Sequence, residues 1–279
     1  APRPLWRVFA AFLAPMLASN ILQSLQLRYG RDGKCGPMTR VSIDAGLAAT
    51  HSADGWTIRS IAALRAERPL SARSLIGLSI AGTYASDELQ AVDGGRISDA
   101  SGNATVYGRF KVLPSLTASA YFGAGQARYT VSATTDEYDL SIKTLADRMM
   151  VGAALSGEVP VFGTSIFTDL LVTHSVERIG NVNVRIAALG ANAKTLPLSL
   201  GNVDLTRISL PVRVPVVLRK MRGSEYGFAG LELASGLVCE DRGEAASALE
   251  CGYSLGGDVH LVSQSGAWRA RMGYRLESV

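Results

Sequence analysis

Few stretches of the chain combine residue types that could do chemistry. Gly252-Tyr253-Ser254-Leu255-Gly256 matches the G-x-S-x-G pattern of a serine-hydrolase nucleophile elbow. Such an elbow needs a strand before the serine and a helix after it, so that helix N-terminal amides stabilise the oxyanion. Here Gly256-Gly257-Asp258-Val259-His260 carries on in strand-like alternation, and His260 follows too soon for the usual Ser…acid…His order. Ser254 therefore reads as an ordinary strand position. His51, His174 and His260 lie far apart and show no metal-ligand spacing. Neither a metal nor a cofactor is expected, and no catalytic residue is assigned. Cys239 and Cys251 flank a short polar stretch and could form a disulfide or remain free thiols; Cys35 is left over. Asn103-Ala104-Thr105 matches a glycosylation sequon, set at a loop-to-strand junction and discounted as such.

The elements that carry these residues are strands. From Arg40 onward apolar and polar residues alternate with period two, as in Val41, Ile43, Ala45 and Leu47 against Arg40, Ser42, Asp44 and Gly46. The pattern recurs about eleven times, ending with Trp268, Ala270, Met272, Tyr274 and Leu276 opposite Arg269, Arg271, Arg275 and Glu277. Several runs last about ten residues, enough for a tilted strand to cross a bilayer. Their polar faces carry charges in mid-strand, which a hydrated lumen allows. Arg59, Arg65, Arg109, Asp169, Arg213, Arg269 and Arg271 are expected to face that lumen, the arginines pairing with Asp44, Glu67, Asp169 and Glu232.

Connections alternate in length. Those near Arg68–Arg73, Leu113–Pro114, Pro160–Gly163, Arg219–Ser224 and Val262–Gly266 are tight. The intervening ones, Asp87–Gly102, Ser132–Asp147, Arg178–Asn202 and Glu240–Leu249, are longer and polar. This alternation marks an up-and-down transmembrane barrel with tight periplasmic turns and extended outer loops; a Greek-key sandwich gives no reason for it. On this reading the Cys239–Cys251 loop lies in an oxidising space where a disulfide forms. Pro211 and Pro215 each remove a ladder donor and predict a local distortion. A phase slip between Leu205 and Ile208 predicts a bulge near Thr206.

Composition sets the outer limits. With 47% apolar residues among 279 the chain can bury enough surface to fold. Its net charge of +4 is diffuse, without a basic cluster for nucleic acid. Residues 1–27 stand apart: an apolar run from Val8 to Ala18 flanked by Arg3 and Arg7, with the proportions of a secretory leader. The expected organisation is an apolar helical leader or foreign segment at 1–27, a linker at 28–39 and an outer-membrane β-barrel at 40–279.

Two resemblances accompany this reading. The wording PLWRVFAAFLAPMLASNILQSL resembles the first helix of MATE-family transporters, although no further helices of that kind follow. The stretches GWTIRSIAALRAERPLSARSLIGLSIAGTYASDE, VYGRFKVLPSLTASAYFGAGQARY and DRMMVGAALSGEVPVFGTSIFTDLLVTHSVER resemble the C-terminal translocator barrel of autotransporters, the type V secretion proteins, over about residues 40–279. That resemblance implies a twelve-stranded antiparallel barrel in the lipid bilayer of the bacterial outer membrane. It also implies a non-catalytic anchor that helps a passenger segment reach the cell surface, a helix in the pore, and dependence on the outer-membrane assembly machinery. Against it stand the missing passenger and an expected count of eleven strands, the last strand being absent, with an open row of unpaired backbone groups. The alternatives are another outer-membrane barrel of small porin or adhesin type, or a serine hydrolase using Ser254.

Overall fold

The computed structural model describes residues 40–52, 55–89, 95–134, 138–161, 164–188, 194–220, 226–241, 249–263 and 269–278. The leader and linker proposed for 1–39, and Cys35, lie outside the described residues. Eleven strands follow one another: β1 (Arg40–Ser52), β2 (Gly55–Pro69), β3 (Ser74–Leu89), β4 (Gly95–Leu113), β5 (Leu116–Thr134), β6 (Tyr138–Val161), β7 (Thr164–Ala188), β8 (Lys194–Lys220), β9 (Tyr226–Asp241), β10 (Glu250–Ser263) and β11 (Arg269–Ser278). Each is antiparallel to its predecessor, and the sheet closes on itself. Among the described residues there is no helix.

The period-two pattern fixes which face each residue takes. On β3, Ile76, Leu78, Ile80 and Tyr84 are exposed on the outside, and Ser79 and Thr83 are buried within. The same phase puts Val106 and Phe110 of β4, Phe122 of β5, Met149, Val151 and Leu155 of β6, and Leu170 and Val172 of β7 on the outer surface. Over β2–β10 the described apolar side chains thus point outward as a girdle, the reverse of a soluble barrel.

Three sequence expectations change. First, the long polar connections are largely strand: β6, β7 and β8 run for 24, 25 and 27 residues. At about 3.3 Å per residue they reach far beyond the apolar girdle. There the outer face turns polar while the inner one is apolar, and the hairpin ladders continue, as in the pairing of Tyr138 with Ala188 and of Arg185 with Thr195. Second, the register is continuous at Thr206, which faces His174 on one side and Asp241 on the other. Leu205 simply shares the inward phase of Arg207. The shift falls instead between Pro215 and Val217, where proline cannot donate to the ladder. Third, the edge expected to be open is paired. An odd number of up-and-down strands brings the first and last together running the same way, and β1 meets β11 in a parallel seam from Ala48–Gly273 to His51–Leu276.

Candidate functional site

The interior of the barrel is where the sequence has placed its chemistry, and it is layered. Toward the short-turn end, Arg213 of β8 lies inside because Leu210, Val212 and Val216 take the outward phase around it. Its Nε and Nη2 donate to Asp169 Oδ2 of β7 at 3.1 and 2.7 Å, and its Nη1 lies 3.5 Å from Glu232 Oε1 of β9. One guanidinium so ties three neighbouring strands, with the Phe167 ring 5.8 Å from its Cζ. Arg65 and Arg109 are buried on the inner faces of β2 and β4. The side chains of Arg59, Arg269, Arg271 and Asp44 lie outside the described residues.

Packed beside these charges is an apolar cluster of Leu75, Tyr107, Tyr121, Met150, Ala154 and Leu171, with Leu75 the cross-strand partner of Arg109. Two tyrosines in it lie flat across glycines of the next strand. A Cβ on Gly77 would come within 2.3 Å of Tyr107 Cζ, and one on Gly152 within 2.3 Å of Tyr121 Cε1. Glycine is needed at these two places for close approach. Tyr107 reaches over β3 so that its hydroxyl donates to Glu67 Oε1 of β2 at 2.9 Å.

The central feature is Arg148 of β6, whose side chain is fully buried. Its Nε donates to Glu177 Oε1 of β7, its Nη2 to the Tyr129 hydroxyl at 2.9 Å, and its Nη1 to Ser101 Oγ at 3.3 Å. Asp99 Oδ2 lies 3.8 Å from Nη2. Tyr129 relays the network, donating its own proton to Glu177 Oε2 at 2.5 Å. Ser101 is linked in turn to Thr83 Oγ1 of β3 at 2.5 Å. Hydrogen bonds thus run from β3 to β7 through one arginine. Beyond it, toward the long-hairpin end, a second apolar cluster includes Ile97, Val131, Ile142, Ile179, Val182 and Val184. The interior therefore alternates ionic and apolar layers, in place of the uniformly wet lumen that the charge pattern suggested.

Arg148, Glu177, Asp99 and Tyr129 were not among the residues the sequence singled out. Nor was Arg207, whose Nη1 donates to Glu240 Oε1 at 3.2 Å, tying β8 to β9. The available signal was inward phase: Arg148 precedes Met149, and Arg207 precedes Ile208, both outward.

The remaining motifs resolve in the same frame. Ser254 is buried on the inner face of β10, opposite Gly236 of β9 and Glu277 of β11. It sits on an uninterrupted strand, without the strand–turn–helix of a nucleophile elbow. Asn103 is mid-strand on β4 with a buried side chain, so the sequon is not in a loop junction. His174 faces Thr206, their Nδ1 and Oγ1 3.0 Å apart. The side chains of His51 and His260 lie outside the described residues, and among the described ones no group of His, Cys, Asp and Glu could hold a metal.

Cys239 and Cys251 are direct cross-strand partners, joined by a disulfide with Cα atoms 4.0 Å apart. It clips the long-hairpin end of β9–β10, a loop with a sequence separation of 12. Reduction should lower the stability of the barrel by up to about 3 kcal/mol, the loop-closure entropy of so short a segment. The measurement is the urea midpoint with and without reductant. A Cys239→Ser/Cys251→Ser variant should match the reduced protein and ignore the reductant.

No protein-family model matches the sequence, and no curated protein sequence does. Solved structures do match. The translocator domain of the autotransporter NalP from Neisseria meningitidis superposes with a TM-score of 0.60 at 12% identity, covering 94% of this chain and 91% of that one. The beta domain of the Bordetella autotransporter BrkA superposes with a TM-score of 0.50 at 11% identity, covering 80% and 84%. At such identities the likeness speaks for architecture alone: the closed up-and-down β-barrel that these autotransporter domains adopt.

Proposed function

We propose that this chain is a translocator barrel of the bacterial outer membrane, anchoring and helping to export a passenger segment, and that it does no catalysis. The observation that carries the reading is the inverted amphipathicity of a closed barrel. Over β2–β10 the described apolar side chains face out, and the buried guanidinium of Arg148 holds four strands together within. Outward apolar side chains have a favourable solvent only in lipid, and a closed sheet leaves few backbone groups unpaired there. The tight turns at Leu70–Arg73 and Leu113–Leu116 would lie on the periplasmic side, and the long hairpins and the disulfide outside. Residues 28–39 would then serve as the linker, and assembly would depend on the machinery that inserts outer-membrane barrels.

Export is tested by placing an epitope-tagged segment upstream of residue 28, behind a secretory leader, in a Gram-negative host. The tag should become sensitive to protease added to intact cells, and retention of the tag inside the envelope would overturn the reading. A planar-bilayer recording separates this barrel from a porin. With Arg148, Glu177, Tyr129 and Tyr107 reaching across the interior, the conductance should be a small fraction of that of an open channel of similar strand number.

A further inference from the structure

We infer that the outer face of β4–β7 is a binding site for one anionic lipid with a large phosphorylated head, its acyl chain lying in a furrow and its phosphates on a ladder of cations above it. This rests on the membrane reading given above.

The furrow has an identifiable cause. Gly108, Ala120 and Ala153 are paired in one row across β4, β5 and β6, all in the outward phase. Their small side chains leave a trough of about 570 Å³ between larger neighbours, among them Ile76, Phe122 and Val172. Its surface is almost wholly apolar, with His174 at its margin engaged with Thr206, so it suits a hydrocarbon chain.

The cations stand at a particular distance from it. Arg178 lies six residues beyond Val172 on β7, and Arg128 six residues beyond Phe122 on β5, both outward and exposed. Six residues on a strand tilted by about 40° climb roughly 15 Å along the membrane normal, half of a ~30 Å hydrocarbon core. A furrow near the midplane and cations one leaflet higher are what a single lipid spans. Lys143 follows on β6, and Arg96 and Arg185 are exposed further along β4 and β7. Ser132 of β5 pairs with Arg96 and with Ser141, which in turn faces Arg185, so these two arginines share one rung. Cations repeated over successive rungs match a head with several phosphates better than a single small headgroup. Among the described residues two carboxylates stand on or beside this face: Asp147, the cross-strand partner of Arg178, which accepts a hydrogen bond from Gln126 at 2.9 Å, and Asp204 of the adjoining β8. The five cations outnumber them.

The experiment uses the full chain refolded into phosphatidylcholine vesicles, with insertion read from its resistance to unfolding in cold detergent. The probe is bis-phosphorylated lipid A, added at rising mole fraction. Dephosphorylated lipid A and inorganic phosphate serve as separate arms. Lipid A should raise the melting temperature saturably, and neither control should. The variant Arg128→Gln/Lys143→Gln/Arg178→Gln should insert normally and lose about 100-fold in apparent affinity, as expected when three cations leave an anionic surface. Arg68→Gln/Lys111→Gln, at the opposite end, should bind as the parent does. An inserted barrel that lipid A leaves unchanged, or whose triple variant binds equally well, overturns the site and leaves the translocator reading intact. Competition by inorganic phosphate would show an anion site without a lipid, also overturning it. Failure to insert in any vesicle would overturn both.

Discussion

Replacing Arg148 by methionine should destabilise the barrel by about 3–5 kcal/mol, the usual cost of leaving a buried carboxylate without its partner. Arg148 donates to Glu177, to Tyr129 and to Ser101 from a side chain with no solvent exposure, so water cannot take over. Tyr129 would still donate to Glu177, but one hydrogen bond does not neutralise the charge. The double variant Arg148→Met/Glu177→Gln should be less damaged than the two single losses predict, with a coupling of about 1–3 kcal/mol. Urea midpoints of the vesicle-inserted protein measure this. A single Arg148→Met variant within about 0.5 kcal/mol of the parent, the range of an ordinary surface change, would show that the network does not hold the strands together.

The second large effect is expected at a residue with no side chain. Gly77→Val puts a methyl group where the Tyr107 ring now lies. The ring must lift, and its hydrogen bond to buried Glu67 goes with it. Overpacking and the orphaned carboxylate together should cost about 2–6 kcal/mol. Gly152→Val makes the same intrusion on Tyr121, whose hydroxyl has no hydrogen-bond partner among the described residues, so only the packing cost of about 1–3 kcal/mol applies. Gly102 has open space where its Cβ would stand, and Gly102→Val should be nearly neutral. The order Gly77 > Gly152 > Gly102 in lost stability is the decisive result. Equal losses at all three would mean that strand glycines matter here only as flexible links.

What was legible in the sequence was set by contrast between environments. Where one face of a strand meets an apolar phase and the other a polar interior, every second residue reports its side. Ile76, Leu78 and Ile80, or Val106 and Phe110, could therefore be placed without coordinates. Beyond the girdle the phase inverts, with polar residues such as Lys143, Arg178 and Arg185 outward and Ile142, Ile179, Val182 and Val184 inward, so Ser132–Asp147 and Arg178–Asn202 read as loops though they are mostly ladder. This also explains the overlooked network. Arg148 directly follows one of those stretches, Glu177 directly precedes the other, and Asp99 lies inside Asp87–Gly102. Arg213 and Asp169, deep in clean alternation, stood out; their tie to one another and to Glu232 needs the register of three strands. Closure was beyond local pattern altogether, because it depends on how β1 and β11 meet across the whole chain.

That meeting has a mechanical consequence. Along β1 and β2 the ladder holds from Arg40–Glu67 to Ser52–Gly55, whereas β1 and β11 share only the stretch from Ala48–Gly273 to His51–Leu276. A tube with one weak join splits there under tension, much as a cylinder fails along its shortest weld. The wall would then open sideways as a gate while the rivets between β3 and β9, anchored on Arg148, Arg207 and Arg213, stay fastened. Any extended segment slipping into the gap would run opposite to both of its neighbours, turning a single parallel contact into two antiparallel ones.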